Sequence, residues 1–187
     1  VQRKTVVRFL LIALGIYGVL TLGWSGFGDL YARGFRAALR AMMVSNTGVR
    51  EADVLDEQPS STVTRIIIAN RNLLATDGSG PIRNVDFPNS TFWQATALFF
   101  ALSLATSRPW LPRLLAAGAG FINMQTFIAG TVSFALWNEG RHVELSAISP
   151  AWAATTDQLQ FILTEQATLV VPVLAWLAGL WPIFKRR

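Results

Sequence analysis

Two apolar runs joined by a short basic turn, residues 92–137, constrain this chain more than any other feature. They read FWQATALFFALSLATS, then RPWLPR, then LLAAGAGFINMQTFIAGTVSFALW. Each run approaches the roughly 20 residues that a helix needs to cross the hydrocarbon core of a bilayer. The turn carries Arg108 and Arg113, two prolines and no acid. Loops on the cytoplasmic side of a membrane retain Lys and Arg, so the spacing predicts a transmembrane hairpin with its turn in the cytoplasm.

Composition agrees with that reading. A chain that is 52% hydrophobic and only 14% charged lies outside the usual range for a soluble domain. The net charge of +5 would suggest nucleic acid in a soluble protein. Here, however, the basic residues segregate along the chain instead of gathering on one folded face, so no nucleic-acid partner is expected. There are no cysteines, which excludes disulfides, thiolate metal sites and a cysteine nucleophile.

The expected fold class is a mainly α polytopic membrane protein with four transmembrane helices, an interfacial amphipathic helix and a small extracytoplasmic β-containing cap. The first helix occupies residues 1–26. Arg3, Lys4 and Arg8 precede an apolar run ending at Trp24. A retained anchor is expected over a cleaved signal peptide, because LTLGWSG is a poor small-x-small cleavage site. Residues 27–44 form the amphipathic helix. Phe27, Leu30, Tyr31, Phe35, Leu39 and Met42 recur at the period of one face, and Arg33, Arg36 and Arg40 share the other, where they would reach lipid headgroups. Plain packing of the apolar face, with solvated arginines, is the competing expectation.

Residues 45–91 are the polar cap. STVTRIIIA predicts a strand over 62–69, with weaker strands at 49–55 and 82–87, between turn clusters at Pro59-Ser60-Ser61 and Asp77-Gly78-Ser79-Gly80. A sheet this small needs other elements to rest on. The hairpin of 92–137 follows, then an extracytoplasmic loop of 138–159 and a fourth transmembrane helix with a basic cytoplasmic tail, 160–187. Pro172 is expected to kink that helix or to leave a backbone carbonyl unpaired.

Every charge fits one partition. Arg3, Lys4, Arg8, Arg108, Arg113, Lys185, Arg186 and Arg187 fall in the segments assigned to the cytoplasm, and no acid does. The 11 acids lie outside or, for Glu165, near the outer end of the last helix. The expected location is therefore a bacterial-type inner membrane, with both ends of the sequence cytoplasmic. Trp24, Trp93, Trp137 and Trp152 would mark the outer boundary, and Trp110 and Trp181 the inner one.

Few residues offer chemistry. Glu165, the one intramembrane charge, would meet water, Arg141 or His142, and reaching back to the interface satisfies it equally well. Asn123 and Gln125 interrupt the third span while Gly118, Gly120 and Gly130 thin its surface. Small residues let helices approach and amides bond across the contact, so this set predicts helix packing, within the chain or to a partner. A single His with scattered acids has no metal-ligand spacing, and neither metal nor cofactor is expected.

Asn89-Ser90-Thr91 before the second span, Asn123-Met124-Gln125-Thr126 within the third and Glu139-Gly140-Arg141-His142 after it follow one another in an order similar to the core of the exosortase and archaeosortase family. These are membrane transpeptidases that use a Cys, an Arg in an N-x-x-R motif and a His. The Cys is missing here and Thr126 stands at the Arg position, which leaves Asn123 and His142. The resemblance implies a shared membrane scaffold without its original chemistry. As a processing enzyme the chain would have to use Ser90 as nucleophile beside His142. The preferred expectation is a noncatalytic accessory or assembly subunit of a larger membrane complex, partnered by the bilayer and other membrane subunits. Binding of a lipid or small molecule beneath the amphipathic helix is a further alternative.

Overall fold

The computed structural model describes residues 2–45, 50–55, 63–73, 80–106 and 109–184. Within them the chain is mostly helical with one small sheet. Helices α1 (Gln2–Leu22) and α2 (Trp24–Ser45) come first, then strands β1 (Arg50–Leu55), β2 (Val63–Asn70) and β3 (Ile82–Pro88). Helices α3 (Asn89–Ala105), α4 (Trp110–Glu139), α5 (Pro150–Phe161) and α6 (Ala167–Phe184) complete the order. The Pro59 cluster, Asp77 to Ser79, Val49, Arg108 and the basic residues 185–187 lie outside the described residues.

The sheet is antiparallel with order β1-β2-β3. Alternation decides its faces. Thr64, Ile66 and Ile68 of β2 are buried, as are Val85 and Phe87 of β3, and the register sets Ile66 opposite Val85 and Thr64 opposite Phe87. On the other face Arg65 lies opposite Asp86 and grips it with two bonds, 2.8 and 3.1 Å. That hydrogen bond holds the Asp86 carboxyl below its ordinary 3.8. A depressed carboxyl stabilises the fold above its unfolded value, and the contribution is lost as pH falls through the folded one. Asp86→Asn is thus expected to cost about 0.5 kcal/mol near neutrality, as exposed pairs do. The difference from wild type in unfolding midpoint should disappear once the pH is well below 3.8.

Two units divide the chain. Unit 1 comprises Val1–Gly26, Thr91–Ile128 and Glu165–Arg187. Its core joins α1, α3, α4 and α6. Phe9 stacks on Trp176 at 5.5 Å, the Trp93 indole donates to Leu20 O at 3.2 Å, and the Trp176 indole donates to Thr106 Oγ1 at 3.0 Å. Buried alanines at 95, 97, 101 and 105 let α3 sit close to its neighbours. Unit 2 comprises Phe27–Ser90 and Ala129–Thr164, and there β2 and β3 both lie against the short 3-10 turn Gly140–Val143.

Several elements differ from the sequence expectation. Among the described residues one helical stretch, Trp110–Val143, is long and apolar enough to span a membrane by itself, not four. The apolar part of α1 is the shorter Val6–Leu22, α3 has 17 residues, and α5 with α6 qualifies only if the pair is counted as one broken span. Arg36 of α2 is buried at 1% exposure, not lipid-facing, while Arg33 and Arg40 are exposed. At 100° per residue, Arg36 falls about 40° from Ala32, at the edge of the buried stripe Gly28, Ala32 and Leu39. Leu30, read as part of the apolar face, is 65% exposed.

The segment expected as a loop at 138–159 holds the end of α4, the 3-10 turn and all but the last two residues of α5. Pro150 sits in the first turn of α5, where its missing N–H costs nothing, and Ser149 before it is extended. Pro172 is buried inside α6. A wide π-type turn, Ile162–Gln166, precedes that helix. There the Thr164 hydroxyl donates to Gln160 O at 2.9 Å, competing for a carbonyl of the regular ladder.

Candidate functional site

The largest polar assembly described lies within unit 2, where the end of α4, the 3-10 turn, α5 and β3 meet. Asn138 is its hub, buried at 1% exposure. Its amide nitrogen donates to Asp157 Oδ1 at 2.9 Å and to Gln160 Oε1 at 2.6 Å, and its carbonyl accepts from Arg141 Nη1 at 3.3 Å. Arg141 closes on both Asp157 oxygens at 2.7 Å and also reaches Ala153 O and Thr156 Oγ1. Bidentate guanidinium–carboxylate pairing is among the stronger arrangements available to side chains. Gln160 continues the chain to Glu139 at 3.5 Å, and Glu139 pairs with Arg83 of β3 at 2.9 Å.

Local structure explains how the sequence builds this. Thr156, Asp157 and Gln160 fall on one side of α5 at helical spacing. The 3-10 turn ends at Glu144, whose φ of 58° is left-handed, and its carbonyl accepts from Asn70 Nδ2 of β2 at 3.3 Å. Leu145 N closes the turn onto Gly140 O at 2.9 Å.

His142 is exposed and its Nε2 accepts from Arg141 Nε at 3.3 Å. That contact occupies the lone pair a general base would use. Ser90 is half-buried at the start of α3, and no hydrogen bond joins it to His142 among the described residues. Two positive and two negative side chains of the network neutralise each other. The assembly therefore holds elements together and has no poised nucleophile. No group of three or more His, Cys, Asp or Glu among the described residues could hold a metal ion.

The other expected residues separate. Glu165 is exposed in the wide turn before α6, and the carboxylate that Arg141 holds is Asp157. Gly120 faces the chain's own helices. A Cβ there would overlap the Phe99 ring and come within 3.6 Å of Ala175 O. Gly118 and Gly130 are exposed, and a Cβ on either would meet nothing within 4 Å. Asn123 is exposed, and Gln125 Nε2 is buried without a hydrogen-bond partner among the described residues. Sequence reasoning missed Asn138, Asp157 and Gln160. The available signal was the polar stripe of Thr156, Asp157 and Gln160 in a segment otherwise rich in alanine. No protein-family model, curated protein or solved structure matches the chain.

Proposed function

We propose that the protein is a multi-pass inner-membrane protein that serves as a noncatalytic accessory or assembly subunit of a larger membrane complex. One observation carries the reading: among the described residues α4 lies in the one helical stretch long and apolar enough to span by itself, yet only 33% of its apolar window is buried. A soluble core helix of that length would be covered by its own fold. Its exposed side combines Leu115 and Ile122, at 68% and 66%, with Gly118, Asn123, Thr126 and Gly130. Exposed amides on an apolar helix are expensive in lipid, and small residues beside them are what a second membrane helix packs upon. Leu10, Leu11 and Leu14 of α1 and Leu169, Val170 and Leu174 of α6 add apolar surface beyond what soluble monomers leave open. Spans of 17 residues stand at the short end of the range of about 17–25 that crosses a bilayer, so α1 and α3 are admissible partners of α4. The positive segments around residues 1–8 and 108–113 belong on the cytoplasmic side in this arrangement.

An exosortase-like processing activity would run through Ser90 and His142, which share unit 2 but no hydrogen bond. The subunit reading is tested on a blue-native gel after extraction in mild detergent. Wild type is expected well above monomer mass, and Gly118→Leu with Gly130→Leu is expected to shift it down while leaving thermal stability intact. Wild type migrating as a monomer, unaltered by those substitutions, would overturn the proposal.

A further inference from the structure

We infer that α5 lies in the outer membrane interface with Trp152, Leu159 and, just past its end, Ile162 against lipid acyl chains, held from its other side by the Asn138–Arg141 network. The inference rests on the membrane reading above. Its motivation is an inversion: a helix on a watery surface turns charges outward and apolar residues inward. Helix α5 does the opposite. Its one charged residue, Asp157, is gripped by Arg141, and Thr156 and Gln160 also turn to the network. Trp152, Leu159 and Ile162 follow one another at seven and three residues, which places them within about 80° of one face. They are 63%, 42% and 46% exposed, and no residue of α5 is buried.

Two further observations choose the occupant and the depth. Membrane helices meet one another over small residues, as the face of α4 with Gly118 and Gly130 is equipped to do. The outward face of α5 instead carries large side chains headed by a tryptophan, the residue enriched where hydrocarbon meets headgroups. The Asp157 side chain stays 51% exposed in its ion pair. A half-exposed ion pair is tolerable at headgroup level and costly at the bilayer centre, which makes α5 interfacial and not the first half of a span.

Because the chain has no cysteine, single-cysteine spin labels are specific. Full-length protein in phospholipid nanodiscs, labelled separately at Leu159→Cys, Leu11→Cys and Asn84→Cys, is probed by collision with molecular oxygen and with a neutral nickel chelate. Leu159 is expected to favour oxygen severalfold more than Asn84 and less than Leu11. Trp152→Cys repeats the measurement should Leu159→Cys fold poorly. A Leu159 label as open to nickel as Asn84, or shielded from both probes by protein, overturns the inference while Leu11 still reads lipid. If Leu11 also behaves like Asn84, the membrane reading itself fails.

Discussion

Gly120→Leu is expected to abolish stable folding of unit 1, whereas Gly118→Leu and Gly130→Leu leave it folded. All three glycines sit on α4, so local propensity is the same for each. They differ in what a side chain would strike. At Gly120 the first carbon already overlaps the tip of Phe99, itself 1% exposed and tilted against Phe100 at 5.7 Å. The enclosed ring would have to shift among packed neighbours, and overpacking typically costs about 1–3 kcal/mol even for an added methylene or two. Gly120→Ala is therefore expected to lose roughly 2 kcal/mol in detergent-solubilised unfolding. Gly118→Ala should instead gain up to about 1 kcal/mol, the helix-propensity difference. The diagnostic is the double variant Gly120→Ala with Phe99→Leu. Removing the ring opens the space that the methyl needs, so the double variant should be more stable than the sum of the singles. Strict additivity would show that the close approach of α3 and α4 at this point is not what limits the site.

The second large effect is expected at Arg141. Its side chain is 17% exposed and reaches two carboxylate oxygens, an amide, a hydroxyl, a backbone carbonyl and an imidazole. Arg141→Ala leaves Asp157 without its cation and Asn138, at the buried hub, without one donor. A loss of about 1–3 kcal/mol is expected, because the half-exposed ion pair is lost together with a hydrogen bond to the buried Asn138. Arg141→Lys should recover only a part, because an ammonium cannot make the paired bonds of a guanidinium. The consequence should also be local. No residue of α5 is buried, so limited proteolysis is expected to cut within residues 150–161 of the variant before the rest of unit 2. Protease resistance of α5 in Arg141→Ala would mean that its outward contacts, not the network, hold it.

Much of the architecture follows from periodicity. The alternation of β2, with Thr64, Ile66 and Ile68 on one side and Arg65 on the other, settles both its strand character and the face it buries. The pairing of Arg65 with Asp86 then follows from the register. The helical character of α1, α3, α4 and α6 is equally plain, because long apolar runs have few other conformations available. Segment 138–159 lacks both signals, having neither an apolar run nor alternation. Its helix rests on Pro150 and on a polar stripe whose purpose shows only when Arg141 stands opposite.

What the sequence determines by itself is the list of faces: which residues share a side of a helix, where basic residues cluster and which chemistry is absent. Partnership is decided by tertiary structure, because a repeat of three and four names a face without naming its neighbour. Hence Gly120 and Gly118, two residues apart on one helix, have opposite fates, one beneath Phe99 and one open. Arg36 looked like a third member of an exposed arginine row and is buried, since its position lies at the border of the apolar stripe. Arg141, one of the partners open to Glu165 on sequence grounds, holds Asp157, because the second half of α5, not the turn before α6, brings a carboxylate to it.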